Sequence, residues 1–104
     1  MEISEIISQS KGIHQWIVEK RRTIHRHPEL MYEEFKTSKL VQETLKDLQI
    51  PYQKDIAITG VVGVIGSGEE PCIALRADMD ALPIHEETDV DFKTCLAPSK
   101  SAEK

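Results

Sequence analysis

Apolar residues in the first part of the chain recur at intervals of three and four, the spacing of one face of an α-helix. They are Ile3, Ile6, Ile7, Ile13, Trp16, Ile17 and Ile24. Gly12 interrupts the pattern, which therefore predicts either one helix or two. Because Pro28 has no amide donor and disfavours helical geometry in the residue before it, the helical stretch is predicted to end at His27.

A second helical pattern is predicted to start near Tyr32. Glu33 and Glu34 then fall in the first turn, where the helix macrodipole favours negative charge. The buried stripe predicted for this helix consists of Phe35, Val41, Leu45 and Leu48. The helix is predicted to end before Pro51, which cannot continue its hydrogen bonding.

The period of apolar positions changes after the second helix. Residues 60–66 are rich in β-branched side chains and bounded by glycines, which predicts a strand. Residues 72–75 are a short, continuous apolar run, typical of a strand covered on both faces, and a shorter strand is predicted at 52–54. The pattern therefore predicts an α/β fold in which two N-terminal helices precede a short mixed β-sheet.

Composition and charge narrow the classes of partner. Of the 104 residues, 39% are hydrophobic and 30% are charged, as in an ordinary globular domain. The net charge of -5 argues against nucleic acid or an anionic membrane as a partner, because no basic stripe exists to neutralise phosphates. The basic cluster Lys20, Arg21, Arg22 and Arg26 is interpreted as the solvated end of a helix. The start of the chain has neither a basic region nor a long apolar run, so we expect no secretory signal, no membrane span and a cytoplasmic location.

The candidate chemistry is concentrated in residues 74–84, where a predicted buried strand leads into Asp78 and Asp80. In an extended chain both carboxylates lie on one side of the sheet, about 6–7 Å apart. Open sheets bind ligands beyond the carboxyl ends of their strands. Carboxylates at such a place can ligate a cation or hold a ligating histidine in the right tautomer. The alternative is that both aspartates cap a turn.

The histidines carry weaker signals. His25 and His27 lie two residues apart near a helix end, so they point to different faces and are interpreted as cations at a helix C-terminus rather than metal ligands. His14 is interpreted as a helix-surface residue. His85 follows the aspartates closely enough to reach them, although its spacing does not require it.

The two cysteines are interpreted as structural or inert. Cys72 lies in the predicted apolar strand and is expected to pack as a small hydrophobe. Cys95 lies in residues 94–104, which lack periodicity and are expected to form a non-homologous, disordered tail. No CxxC pair occurs, which fits a reducing compartment.

Four segments, in this order and spacing, match a known family: residues 21–30, 32–34, 58–63 and 75–84. They resemble the N-terminus of auxin–amino acid conjugate hydrolases and their bacterial aminoacylase and hippurate hydrolase relatives. The resemblance covers residues 16–92, and four linked motifs make accidental similarity improbable. The stretch at 58–66 looks most like the plant-type branch.

The resemblance implies a two-domain hydrolase with a metallopeptidase-like, mixed-sheet catalytic domain and a smaller lid domain. Its substrates would be N-acyl-amino acids, including auxin–amino acid conjugates. A pair of divalent ions, manganese or zinc, would polarise the amide carbonyl and activate water, with a glutamate as general base. By the same resemblance, Asp80 supports a metal-ligating group, and Asp78 falls where more distant peptidases carry a metal-binding histidine. Neither is expected to be a metal ligand itself.

The departures from the family limit what these residues are expected to do. The family continues with a Cys-Gly-His-Asp segment that binds metal, whereas here the resemblance ends near Lys93 and Cys95 lacks the Gly-His-Asp. We therefore expect residues 1–93 to be a truncated part of the catalytic domain, without most metal ligands or the general base, binding no metal and inactive alone. The alternatives are a non-catalytic regulatory isoform that pairs with full-length hydrolase subunits through an unpaired sheet edge, and a polypeptide that does not fold.

Overall fold

Three helices precede a β-hairpin in the computed structural model, which describes residues 1–94. Helix α1 spans Ile3–Gly12, α2 spans His14–Arg26 and α3 spans Phe35–Asp47, followed by strands β1 at Tyr52–Ile56 and β2 at Gly60–Gly63. The predicted order of helices and then strands is confirmed. Within the described residues the sheet is a two-stranded antiparallel pair rather than a mixed sheet.

The first helical stretch is divided into two helices, one of the two alternatives that the sequence left open. The division lies at Ile13, directly after Gly12, where φ is -100° and ψ is 1° and the same residue ends α1 and begins α2. Helix α2 ends at Arg26, and His27 is its C-cap, at the boundary predicted from the following proline.

Helix α3 begins three residues later than predicted. Tyr32 has a φ of 66°, in the left-handed region, so a right-handed helix cannot include it. Glu34 is the N-cap, and Phe35 is the first helical residue. The prediction failed at this boundary because sequence periodicity does not report a single residue with positive φ.

The apolar stripe predicted for α3 is only partly buried. Val41 and Leu45 are half-buried, whereas Phe35 is 62% exposed and Leu48 is 53% exposed. The hairpin covers the Leu45 side of the helix: a Cβ atom added to Gly63 of β2 would lie 3.3 Å from Leu45 Cδ2. The prediction was wrong for Phe35 and Leu48 because the hairpin does not cover their side.

The hairpin contains an irregularity that requires a glycine. Tyr52 pairs with Gly63 and Ile56 pairs with Gly60, with a shift of register between Gln53 and Ile56. A Cβ atom at Gly60 would clash with the carbonyl oxygen of Ile56. Such a contact is shorter than side chains permit, so the chain can pass this point only with a glycine.

Residues 72–75 were predicted to form a strand covered on both faces, and this prediction was wrong. They form no strand, and Ile73 is 86% exposed and Leu75 is 97% exposed. Cys72 is also exposed, so it does not pack as a small hydrophobe. A doubly covered strand needs neighbouring strands and layers on both faces. Residues 1–94 supply neither, and no apolar side chain among them is fully buried.

Two further predictions concern membrane spans and the end of the chain. No helix within residues 1–94 has the length and apolar character needed to cross a lipid bilayer. The predicted tail begins at Thr94, which the structure describes, whereas Cys95 and the rest of residues 95–104 lie outside the described residues.

Candidate functional site

Asp78 and Asp80 lie on the irregular segment that follows the hairpin, and both are exposed. Asp78 Oδ1 lies 3.0 Å from Arg76 Nη2, in an ion pair whose side chains are 70% and 90% exposed. An ion pair this exposed contributes little to stability. Within residues 1–94 there is no group of three or more His, Cys, Asp or Glu side chains placed to hold a metal ion.

A cleft of about 540 Å³, which we call the helix cleft, lies between the end of α2 and residues 79–86. Its wall is largely apolar, formed by Ile24, Pro28, Met79, Leu82 and Ile84. Its polar lining includes Arg21, His25, Asp80 and His85. The structure therefore brings His85 and Asp80 to the same cleft, as their nearness in sequence allowed.

A second cleft, the hairpin cleft, has a volume of about 500 Å³ and lies between the hairpin and residues 76–80. It is lined by Tyr32, Glu34, Thr59, Arg76, Asp78 and Asp80 among others. Asp80 borders both clefts, whereas Asp78 borders only the hairpin cleft. The two aspartates thus both line the hairpin cleft, but they do not form a metal-binding site with other side chains of the described residues.

The most buried polar contact beside the hairpin cleft joins Glu34 and Thr59, which are 6% and 5% exposed. The Thr59 hydroxyl donates a hydrogen bond to Glu34 Oε2 at 2.5 Å. Glu34 Oε1 is buried without a hydrogen-bond partner in the described part of the chain. From sequence, Glu34 is a charge in the first turn of a predicted helix and part of a segment that resembles a known family, and neither feature indicates this contact. The contact spans 25 positions, so local periodicity carries no signal for it.

Glu29 connects the loop after α2 to two other segments. Its Oε2 accepts a hydrogen bond from the Lys36 amide at 3.0 Å, and its Oε1 accepts bonds from the Thr37 amide at 2.6 Å and the Thr37 hydroxyl at 2.7 Å. These amides are among those that the N-terminus of a helix leaves without partners. The Ala81 amide donates to the backbone oxygen of Glu29 at 2.7 Å. Glu29 therefore caps α3 and holds the residue after Asp80.

The pKa of Glu29 is below its ordinary value. Burial acts to raise this pKa, but hydrogen bonds from Lys36 and Thr37 and the positive charge of Lys36 together outweigh it. Glu29 therefore remains ionised at neutral pH, where a carboxylate is the stronger acceptor for the helix amides.

His25 pairs with Glu86, a residue that the sequence analysis did not single out. His25 Nε2 lies 2.9 Å from Glu86 Oε1, and Glu86 Oε2 accepts a hydrogen bond from the Thr94 amide at 2.8 Å. The Thr94 amide is the main cause of a lowered pKa at Glu86, and His25 is the second. His25 does lie in the last turn of α2, as predicted, but its partner is a carboxylate 61 positions away.

The other histidines lie apart from this pair. His27 borders a different cleft, between α2 and α3, so the two-residue spacing does place it on another side from His25. His14 is exposed at the first position of α2, in agreement with its interpretation as a surface residue.

Arg22 departs from the interpretation of the basic cluster as a solvated helix end. Its guanidinium carbon lies 4.2 Å from the centre of the Phe92 ring. Its Nε atom is buried without a hydrogen-bond partner among residues 1–94. The side chain therefore takes part in packing the irregular segment onto α2, a cation–π contact that sequence pattern alone does not indicate.

Three contacts join segments that are far apart in the sequence. Glu34 and Thr59 connect the start of α3 to the hairpin, Glu29 and Ala81 connect the loop after α2 to the aspartate segment, and His25 and Glu86 connect α2 to the residues beyond it. Residues distant in sequence thus lie together along the two clefts that Asp80 borders.

The chain is similar to hydrolases of plants and archaea. It is 50% identical over 90 residues to IAA-amino acid hydrolase ILR1-like 2 of Arabidopsis thaliana, a match that covers 86% of this chain and 20% of the relative. It is 46% identical over 94 residues to thermostable carboxypeptidase 1 of Saccharolobus solfataricus, covering 88% of this chain and 24% of the relative. No family model matches the chain.

The fold is similar to part of a solved structure. The Bacillus subtilis YXEP protein, described as a dinuclear metal binding peptidase from the M20 family, superposes with a TM-score of 0.76 at 37% sequence identity. The match covers 84% of this chain and 25% of that chain. The chain thus spans about a fifth to a quarter of the length of these relatives.

Proposed function

Because the chain is homologous to part of IAA-amino acid hydrolase-like proteins and M20 peptidases, we propose that it forms the N-terminal part of a metal-dependent amidohydrolase. The complete enzyme cleaves the amide bond of N-acyl-amino acids, auxin–amino acid conjugates among them, with manganese or zinc. The observation that carries the proposal is the 50% identity to a named IAA-amino acid hydrolase over 86% of this chain.

The described residues do not by themselves fit a dinuclear metal centre. One Asp78 oxygen is engaged by Arg76, and no third ligating side chain joins Asp78 and Asp80 within the described range. A divalent ion needs several protein ligands at once. We therefore assign no catalytic step to these residues and propose that the 104-residue polypeptide is inactive alone.

The role we propose for Asp80 is to support a metal-ligating side chain supplied by the rest of the enzyme. A carboxylate does this by accepting the ring N–H of a ligating histidine, which fixes its tautomer and orientation. Asp80 borders both clefts, and the amide of its neighbour Ala81 is held by Glu29. The backbone beside the exposed Asp80 carboxylate is thus held in place by the hydrogen bond between the adjacent Ala81 amide and Glu29. Asp78 is proposed to line the same site.

Completing the chain with the rest of a related hydrolase is expected to give metal-dependent amidase activity. In this chimera, the chain replaces the matching part of IAA-amino acid hydrolase ILR1-like 2. Asp80→Asn in the chimera is expected to lower kcat/KM by about 10–100-fold, because supporting carboxylates of metal sites have effects of that size. The measurement is the initial rate of amino acid release from acyl-amino acids with manganese or zinc.

The matched control is Asp89→Asn, which alters an exposed aspartate of the same segment and is expected to leave the rate unchanged. The 104-residue chain alone is expected to show no turnover. Metal-dependent hydrolysis by that chain, or stoichiometric capture of two manganese ions, would contradict its proposed inactivity. A chimera that folds and binds metal but cleaves no acyl-amino acid would reject the amidohydrolase itself.

A second candidate function is non-catalytic association with complete hydrolase subunits. The observations that favour it are the exposure of Ile73 and Leu75 and the two hairpin edges that no other strand pairs with among residues 1–94. Unpaired strand edges and adjoining apolar side chains bind other chains readily. In this role the chain would regulate a full-length relative rather than catalyse.

Co-expression with a full-length related hydrolase tests this association. The two chains are expected to co-elute in size-exclusion chromatography, and Leu75→Ser is expected to reduce the co-eluting fraction several-fold by removing apolar contact area. Ile3→Ser, at a 76% exposed site on α1, is the control. Separate peaks for the two wild-type chains would dismiss the association.

A further inference from the structure

We propose that His25 and Glu86 are a positioning pair that fastens residues 86–94 to α2 and thereby fixes one wall of the helix cleft. The inference goes beyond the proposed hydrolase function and does not require it, because it concerns the path of this chain. Both residues border the cleft that also contains Asp80 and His85.

The path of the aspartate segment depends on a small number of attachments. Residues 79–94 contain no helix or strand. Within the described residues, two hydrogen bonds connect this stretch to the helical part of the protein: the Ala81 amide to the Glu29 backbone oxygen at 2.7 Å, and His25 to Glu86 at 2.9 Å. The chain between these attachments forms the cleft wall, so loss of the second would leave one end of that wall without its hydrogen bond to the helices.

Glu86 links two parts of the chain through its two oxygens. Oε1 contacts His25 on α2, while Oε2 accepts the Thr94 amide at 2.8 Å and so closes the loop between 86 and 94. The Glu86 side chain is only 15% exposed, compared with 44% for His25. A glutamate that only faced solvent would not have both oxygens in hydrogen bonds and most of its side chain buried.

The Phe92 ring reinforces the pair. His25 meets this ring edge to face, with centroids 5.8 Å apart, and the Arg22 guanidinium carbon lies 4.2 Å from its centre. The loop closed by Glu86 therefore presents an aromatic ring to two cationic or polar side chains of α2. The hydrogen bonds and the ring contacts fix the same loop on the same helix face.

The pair is expected to respond to acid. The pKa of Glu86 is lowered, first by the Thr94 amide and then by His25. Because the pKa of Glu86 is lower in the folded state, its ionised form stabilises the fold. This stabilisation is complete above the unfolded-state pKa near 4.5 and is lost as pH falls through the folded-state pKa. The charged or titratable groups that line the same cleft or contact the same loop are Arg21, Arg22 and His25 from α2, Glu29 from the loop after α2, and Asp80 and His85 from the segment itself.

Amide hydrogen exchange of the 104-residue chain tests the inference, with protection factors for the Thr94 and Ala81 amides. His25→Ala is expected to lower protection at Thr94 about tenfold and to lower it at Ala81 to a smaller extent. His25→Gln, whose side-chain amide can donate to Glu86, is expected to restore most of it. His14→Ala, on the exposed end of the same helix, is the control and is expected to change neither.

The pH dependence separates a positioning pair from simple packing. In the wild type, Thr94 protection is expected to fall relative to the α2 amides as pH is lowered through the pKa of Glu86, whereas Glu86→Gln removes this dependence and Glu87→Gln keeps it. Thr94 protection that is absent in the wild type, or unchanged by His25→Ala with α2 intact, would overturn the proposal. If His25→Ala fails to fold, the wild-type and Glu86→Gln titrations decide by themselves.

Discussion

Thr59→Val is expected to destabilise the protein by about 2–3 kcal/mol, because a buried carboxylate then loses the one hydrogen bond its side chain accepts within the described residues. Valine has nearly the same shape as threonine, so the change removes the hydroxyl donor and little packing. Glu34 and Thr59 are 6% and 5% exposed, and water cannot readily replace the lost donor. The measurement is urea unfolding followed by the helical circular dichroism signal.

A double-mutant cycle identifies the cause of this loss. Glu34→Met alone leaves the Thr59 hydroxyl without a partner and is also expected to destabilise. Combining it with Thr59→Val is expected to recover most of the loss, because replacing both polar partners with apolar groups of similar size is nearly neutral. Thr23→Val is the control, because the Thr23 hydroxyl donates only to a carbonyl of its own helix at an exposed site. Additive single effects would contradict the assigned contact.

In a chain this small, a loss of this size is expected to be a large fraction of the free energy of unfolding. No apolar side chain within residues 1–94 is fully buried, and large apolar residues such as Ile65 and Leu75 are more than four-fifths exposed. Small domains bury a low fraction of their surface and retain only a few kcal/mol of net stability. The buried contact of Glu34 and the part-buried contacts of Glu29 are therefore expected to contribute measurably to the stability of the described fold.

The helices could be predicted from sequence because their signals are local. The end of α2 follows from the chemistry of Pro28, and the end of α3 was placed correctly before Pro51. The start of α3 was misplaced because Tyr32 adopts a positive φ, which depends on how the loop is held by its surroundings. The local sequence pattern therefore predicts that a helix forms, whereas tertiary contacts decide at which residue the helix begins.

The failure at residues 72–75 shows the limit of apolar pattern as a guide to strands. An apolar run such as Ile73 to Leu75 indicates that the segment is suited to burial. Burial itself requires strands and helices that cover the segment. No helix or strand within the described residues covers this run, so it stays exposed. The apolar pattern therefore shows that residues 72–75 are suited to a buried strand, but it does not show whether other elements cover them.

The sequence singled out Asp78 and Asp80 as candidate site residues, a prediction that stays open, but it indicated none of the contacts around them. Asp78 and Asp80 were singled out because they follow an apolar run, and the structure places both beside a cleft. Glu29, Glu34 and Glu86 were missed as anchors, because each acts on residues between 7 and 61 positions away. The available signal was that Glu29 and Glu34 lie within the segments that resemble a known family.

Glu29→Ala is expected to destabilise the protein by about 3 kcal/mol, because three hydrogen bonds to one carboxylate are lost and two amides at the start of α3 are left without protein acceptors. Unfolding in urea at pH 7 measures this loss of stability. The control is Glu33→Ala, at an exposed glutamate just before α3, which is expected to destabilise the protein by well under ~1 kcal/mol. The pKa of Glu29 is lowered in the fold, so its contribution is complete above the unfolded value near 4.5 and disappears as pH falls through the folded value. The difference between wild type and Glu29→Ala should therefore shrink in acid, while a difference that is constant with pH would show that the carboxylate does not cap α3.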